Sequence, residues 1–222
     1  MDLLIILAII AIPAIAQVFI TKNYNQYKQV NSSSNLSGCE VARKILDANG
    51  LQDVHVVEVR GYLSDHYDPS RKVVRLSKEV FHGMSVAATS IAAHECGHAI
   101  QDQKGYFYMR FRSMIFPIVK FSSYFAYIVL FIGLLAEATN LFAIGIALVS
   151  LGLLFQLVTL PVEFNASSRA KEQLKDLKLV NNQEARGVEN MLTSAAMTYV
   201  AGVLSSVLDL LRLILIFTSN RD

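Results

Sequence analysis

The residues best suited to chemistry are concentrated in one segment, His94-Glu95-Cys96-Gly97-His98. Two imidazoles four residues apart fall on one face of an α-helix, close enough to share one tetrahedral zinc ion, and a carboxylate beside them can reach a metal-activated water as general base. The surrounding run is rich in alanine, begins after Ser85 and ends near Lys104 and Gly105. Ser85 is a good N-cap and Gly105 a good stop, so the pattern predicts a helix there. The competing reading makes His94 and His98 ordinary packed or solvated histidines. Against it stand the rarity of two His and a Glu at these fixed offsets and their fall on a predicted helix, as the chemistry requires. Cys96 falls about 200° around the helix from His94, away from the metal, and reads as packing.

Catalytic zinc keeps three protein ligands and an open position, so a third ligand must come from elsewhere in the chain. His66, Glu79 and His82 are near in sequence, and Glu163 stands just beyond Pro161 with Ser167 and Ala170 on its helical face. Spacing alone leaves all four open. Peptide hydrolysis would also need a donor for the tetrahedral oxyanion, for which His66, Tyr67 and Tyr199 are candidates. The run Lys72 to Leu76 reads as a strand that either pairs with an extended substrate or belongs to a hairpin.

Positioning these residues falls to a chain built for a membrane. Of 222 residues, 53% are hydrophobic, and the mean hydropathy is +0.40, above the range of soluble globular domains. Residues 3–20, 115–136 and 141–160 are each long and apolar enough to cross a bilayer core of about 30 Å. The first run reads as a retained span and not a cleaved signal peptide, because Asp2 precedes it while Lys22 and Lys28 follow it. A fourth stretch, 195–217, carries Asp209 and Arg212, which continue a polar stripe through Thr198, Gly202 and Ser205. Either the stripe faces the other helices of a fourth span, with Asp209 and Arg212 paired, or the helix lies in the interface; its length favours spanning.

Between the spans, residues 21–113 and 161–194 form two parts of a small catalytic domain. In the first, Asn23 to Gly38 reads as a linker or flexible loop, Cys39 to Asn49 as a helix stopped by Gly50, and Val54 to Val59 with Lys72 to Leu76 as a β-hairpin. In the second, Pro161 marks a kink or restart, and Asn181 with Glu184 has the spacing of a capping box. The fold class is therefore mainly α, with three or four transmembrane helices and a small α+β zincin-like domain. Of the 20 Lys and Arg, 18 lie in residues 21–120 and 162–194, the exceptions being Arg212 and Arg221. Basic flanks stay in the cytoplasm, so a multi-pass cell-membrane protein with a cytoplasmic catalytic domain is expected. Cys39 and Cys96 have no CxxC spacing and read as free thiols, in keeping with that side. Basic and acidic residues are interleaved at a net charge of +2, which argues against nucleic acid as a partner.

The run Ala92 to Gln101 around the His-Glu-Cys-Gly-His segment, together with Asp65-His66-Tyr67-Asp68-Pro69, Arg75-Leu76-Ser77 and Leu160-Pro161-Val162-Glu163-Phe164-Asn165, resembles the YugP-type neutral zinc metallopeptidases of bacterial membranes. The likeness covers nearly the whole chain. More distantly, the order of helix, transmembrane hairpin and acidic helix is similar to the HtpX-like and CAAX prenyl endopeptidases, membrane gluzincins whose acidic motif reads Glu-x-x-x-Asp. This resemblance implies Glu163 as third ligand beside His94 and His98, one zinc per chain, Glu95 as general base, and a protein or peptide substrate at the lipid bilayer. It also implies a departure, since Ser167 stands where the Asp would be and has no carboxylate to orient an imidazole. Asn165 is a substitute candidate. Two other function classes compete. One is a catalytically silent metal-binding scaffold or adaptor, which Glu95 argues against. The other is a transporter using Asp209 and Arg212, weakened by the lack of internal repeats.

Overall fold

The computed structural model describes residues 2–219. Arg221, counted above among the basic residues, lies outside them. The chain divides into two compact units, one holding the segments up to Gln17, Arg110–Pro161 and from Thr198 on, the other Val18–Met109 and Val162–Met197.

In chain order the elements are helices α1 (Asp2–Tyr27) and α2 (Gly38–Ala48), strands β1 (His55–Val59), β2 (His66–Asp68) and β3 (Val73–Ser77), and helices α3 (Lys78–His82), α4 (Val86–Gln103), α5 (Phe107–Leu135), α6 (Thr139–Asp176) and α7 (Asn182–Ser219). Helices α1, α5, α6 and α7 are long and apolar enough to cross a membrane. Leu3, Leu4, Phe121, Tyr124 and Leu135 are each more than two-thirds exposed, an arrangement that lipid accommodates and water does not. The protein is thus a mainly α membrane protein with a small α+β domain.

The first unit collects the spanning segments. Gly145 leaves room for the Leu130 side chain, and Gly133 lets the backbone at Phe142 approach closely, so α5 and α6 pack tightly side by side. The polar stripe of α7 turns inward: Tyr127 Oη donates to Asp209 at 2.8 Å, Gln156 Nε2 to Ser206 at 2.8 Å and Ser205 to the Ile9 carbonyl at 3.1 Å. Arg212 approaches Asp209 to 3.9 Å. Of the two arrangements expected for the stripe, the structure has the one that faces other helices.

The second unit is built on α4. Its core joins Val41, Ala42, Ile45 and Leu46 of α2 to Ala92, Ala93, Cys96, Ala99 and Ile100 of α4, with Val74 and Leu76 of β3. Ser37 and Glu40 form the capping box that starts α2, and Ser85 Oγ accepts from Ala88 N at 3.2 Å to start α4. Both ends are closed by glycines with positive φ, Gly50 at 72° and Gly105 at 62°, a conformation glycine adopts without steric cost.

Four expectations are corrected. First, β1 and β3 do not form a hairpin: they pair in parallel, His55 opposite Val73, and β2 pairs antiparallel with β3, Tyr67 opposite Val74. The connection between β1 and β3 is long enough for the crossover that parallel strands need, and a tight turn held by Asp68 Oδ1, which accepts from Ser70 N at 3.1 Å, returns β2 onto β3. Second, β3 is the central strand of the order β1-β3-β2, so both its edges are taken and it cannot receive a substrate strand. Third, the polar stretch after residue 22 is no flexible linker. Helix α1 continues to Tyr27, and beyond it Val86 N donates to the Val30 carbonyl and Ser32 N to that of Met84, both at 2.8 Å. Fourth, of the kink or restart expected at Pro161 the restart does not occur, since α6 continues through it to Asp176, as long membrane helices tolerate the lost hydrogen bond; α5 starts at Phe107, earlier than residue 115. In α7 the Asn181–Glu184 box forms as expected, with Asn181 Oδ1 accepting from Gln183 N and from Glu184 N at 2.9 Å.

Candidate metal centre

The geometry starts from a missing side chain. A Cβ on Gly97 would lie 2.5 Å from the carbonyl oxygen of Ala166, so the absence of one lets α4 pack directly against the α6 backbone. That contact sets Glu163 opposite the two histidines. Glu163 Oε2 lies 3.3 Å from His94 Nε2 and 3.6 Å from His98 Nε2, and one ligand atom from each of the three residues falls within a 4.8 Å cluster. For zinc bonds of about 2.0 to 2.1 Å in a tetrahedron, neighbouring ligand atoms stand roughly 3.4 Å apart. The three side chains fit such an ion as they are placed.

The remaining ring nitrogen of His98 is held in the sense that metal binding requires. His98 Nδ1 faces Gln101 Oε1 at 3.0 Å, and an amide oxygen can only accept, so His98 carries its proton on Nδ1 and leaves Nε2 free to ligate. Gln101 is fully buried and its orientation is fixed from the other side, where Nε2 donates to the Val162 carbonyl at 2.7 Å and to Asn165 Oδ1 at 3.0 Å. Asn165 Oδ1 also accepts from Arg169 Nε at 2.8 Å. His94 Nδ1 meets Ser167 Oγ at 3.2 Å. Ser167 therefore does contact an imidazole, as a hydroxyl in place of a carboxylate, whereas Asn165 acts at one remove through Gln101. The role of Gln101 was not read from the sequence. The signal for it was its position three residues after His98, on the same helical face.

Glu95 is buried, at 7% exposure, and its pKa is raised from 4.5 to about 7. Burial is the main cause. The proximity of His94 opposes it, while the charges of Glu163 and Asp65 add to it; the backbone amide of Tyr67 donates to the carboxylate and lowers it somewhat. A carboxyl whose proton affinity lies near neutrality can both take and return a proton. Asp65 holds the start of β2 in place by accepting from Ser77 N at 2.7 Å and from Ser77 Oγ at 3.1 Å.

The other candidates are engaged elsewhere. His66 is exposed, with Nδ1 at the Ser64 carbonyl; Glu79 accepts from Tyr24 and Lys28; His82 pairs with Glu58. Tyr67 donates its hydroxyl to Asp102 at 2.9 Å, which commits that group, and Tyr199 lies on α7. Cys96 is buried in the core, its Sγ toward the Ala42 carbonyl, as its helical phase implied.

A mainly α membrane fold with this His-His-Glu cluster beside a buried glutamate defines a class, and residues 2–218 match the family described as "Putative neutral zinc metallopeptidase"; the chain belongs to that family. It is also 49% identical, over 207 residues, to the "Putative membrane protease YugP" of Bacillus subtilis (strain 168), a match spanning 93% of this chain and 92% of the relative. No solved structure matches the chain.

Proposed function

We propose that this chain is a membrane-embedded zinc endopeptidase in which His94, His98 and Glu163 hold the ion and Glu95 is the general base. The observation that carries this is the convergence of three ligand atoms from two helices beside a buried carboxyl with a proton affinity near neutrality. Zinc bound there would supply a Lewis acid that makes water nucleophilic at neutral pH and polarises a peptide carbonyl. Glu95 takes the proton from the attacking water and passes it to the departing amine, so it returns to its starting state when the C–N bond breaks. Gln101 keeps His98 in the ligating tautomer, and Ser167 Oγ contacts the outer ring nitrogen of His94.

Strand β2 suits the substrate. It is paired on one side only, and the Tyr67 amide at the Glu95 carboxylate brings its backbone to the base. An extended peptide adding to that edge would lay its backbone past Glu95. Membrane or membrane-proximal proteins are the fitting substrates for a peptidase carried by four apolar helices, and the basic residues flanking those helices support a cytoplasmic catalytic side. The test is metal-dependent proteolysis by the purified chain. One zinc per chain, with cleavage of an unfolded protein lost on chelation and restored by zinc, supports the proposal. Absence of bound zinc at saturating metal would overturn it.

A further inference from the structure

The hydrogen bonds behind His98 form a chain that ends on a cation. His98 Nδ1 faces Gln101 Oε1 at 3.0 Å, Gln101 Nε2 donates to Asn165 Oδ1 at 3.0 Å, and Arg169 Nε donates to the same Asn165 oxygen at 2.8 Å. Arg169 is neither a ligand nor the base, and it is only half-buried.

Such a chain has no direction of its own, because the oxygen and the NH2 of an amide side chain exchange places by a half-turn about its last bond. The direction must be imposed from an end. A guanidinium is always charged and only donates, so Arg169 requires an oxygen from Asn165. That oxygen then takes one hydrogen of Gln101 Nε2, while the Val162 carbonyl takes the other at 2.7 Å. Gln101 is fully buried, so both of its N–H groups need these acceptors. With its two donors spent on α6, Gln101 presents only Oε1 to His98, and the ring proton is held on Nδ1. Were Asn165 turned over, its NH2 would face the guanidinium and the Gln101 NH2, three donors with no acceptor among them. Asn165 and Arg169 stand four residues apart on α6, so the contact that prevents this is set within one helix.

We propose that Arg169 is a positioning residue for the metal centre: it sets the polarity of Asn165 and, through Asn165 and Gln101, the tautomer in which His98 can ligate. This role rests on the assignment of His98 as a ligand. A carboxylate commonly orients a ligating imidazole directly; a cation in its place needs intervening amides to present an acceptor to the ring. The test reads the tautomer in metal-free protein labelled with 15N-histidine, with His98→Ala supplying the assignment. Ring-nitrogen shifts should place the proton of the neutral His98 ring on Nδ1 in wild type. Arg169→Met keeps the length of the side chain but donates nothing. It should give a mixture of both tautomers and weaken zinc about three- to tenfold in chelator competition, less than loss of a group that touches the ligand. Arg169→Lys, which keeps a charged donor, should restore much of both. The decisive comparison uses Asn165→Asp, because a carboxylate carries oxygen on both sides and has no wrong orientation. In that background Arg169→Met should leave the proton on Nδ1 and zinc affinity within about twofold, whereas a role in packing alone would cost the same in both backgrounds. A single Nδ1 tautomer with wild-type zinc affinity in Arg169→Met, or an equal loss with and without Asn165→Asp, would overturn the proposal. Thermal unfolding of each metal-free variant checks its fold. Wild-type protein that shows the Nδ1 tautomer yet binds no zinc would instead refute the metal centre, which keeps the two failures apart.

Discussion

Gly97→Ala is the smallest perturbation that reaches the centre of the site without touching a ligand. The added methyl would sit 2.5 Å from the Ala166 carbonyl oxygen and 3.2 Å from its Cα. Contacts of this kind settle at roughly 3.5 Å, so α4 and α6 must separate by about 1 Å. The obstacle is backbone, and no rotamer change relieves it. Glu163 and Ser167 flank Ala166 on α6 and move with it, stretching the 3.3 and 3.6 Å separations from Glu163 to the two imidazoles. Metal sites tolerate about 0.2 Å. Overpacking costs about 1 to 3 kcal/mol, but alanine regains about 1 kcal/mol of helix propensity, so the metal-free fold should lose little. Zinc affinity should fall at least tenfold, about 1.4 kcal/mol or more. The assay is competitive zinc titration against a chelator in detergent, with thermal unfolding of the metal-free protein alongside. Wild-type zinc affinity in Gly97→Ala would refute the view that this close approach builds the site.

Glu163→Ala should lose stoichiometric zinc, and undiminished metal content by elemental analysis would transfer the third-ligand role to another residue. Gln101→Leu leaves His98 Nδ1 without its acceptor and should weaken zinc by roughly 10- to 100-fold, as loss of a ligand-orienting group usually does, again by chelator competition. In the metal-free protein, Glu95 is raised from 4.5 to about 7, so the folded state favours the neutral acid. Its contribution is fully present below about pH 4.5 and is lost as pH rises through 7, by about 3 kcal/mol at most. Melting in chelator should therefore show Glu95→Gln gaining stability over wild type at pH 8 and little at pH 5; an equal difference at both would contradict this.

What could be read from the sequence was set by local chemistry. Helix α4 announced itself through Ser85 and Gly105, α2 through Gly50, and α7 through Asn181 and Glu184, because caps and stops act within a few residues. The spacing of His94, Glu95 and His98 is likewise intrahelical. Glu163 lies 65 residues beyond His98 and meets it only through the packing at Gly97 and Ala166; spacing alone left it among four candidates, and family resemblance singled it out. Strand pairing was misread for a related reason. The alternation in β1 and β3 marks them as strands but does not say whether they run parallel, and β2 is three residues hidden in a turn-rich stretch. Pro161 is compatible with either a kink or a restart, and the long apolar helix continues through it. Ser167 departs from the acidic motif yet still faces His94 Nδ1, since a hydroxyl fills the same place on the helix.

The most direct test compares proteolysis by wild-type protein and Glu95→Gln, each purified with its zinc. If Glu95 moves the proton, the variant keeps one zinc per chain and cleaves no unfolded protein substrate at a rate above background. Full cleavage by the zinc-loaded variant would contradict the assignment of Glu95 as base, and with it the peptidase mechanism proposed for this site.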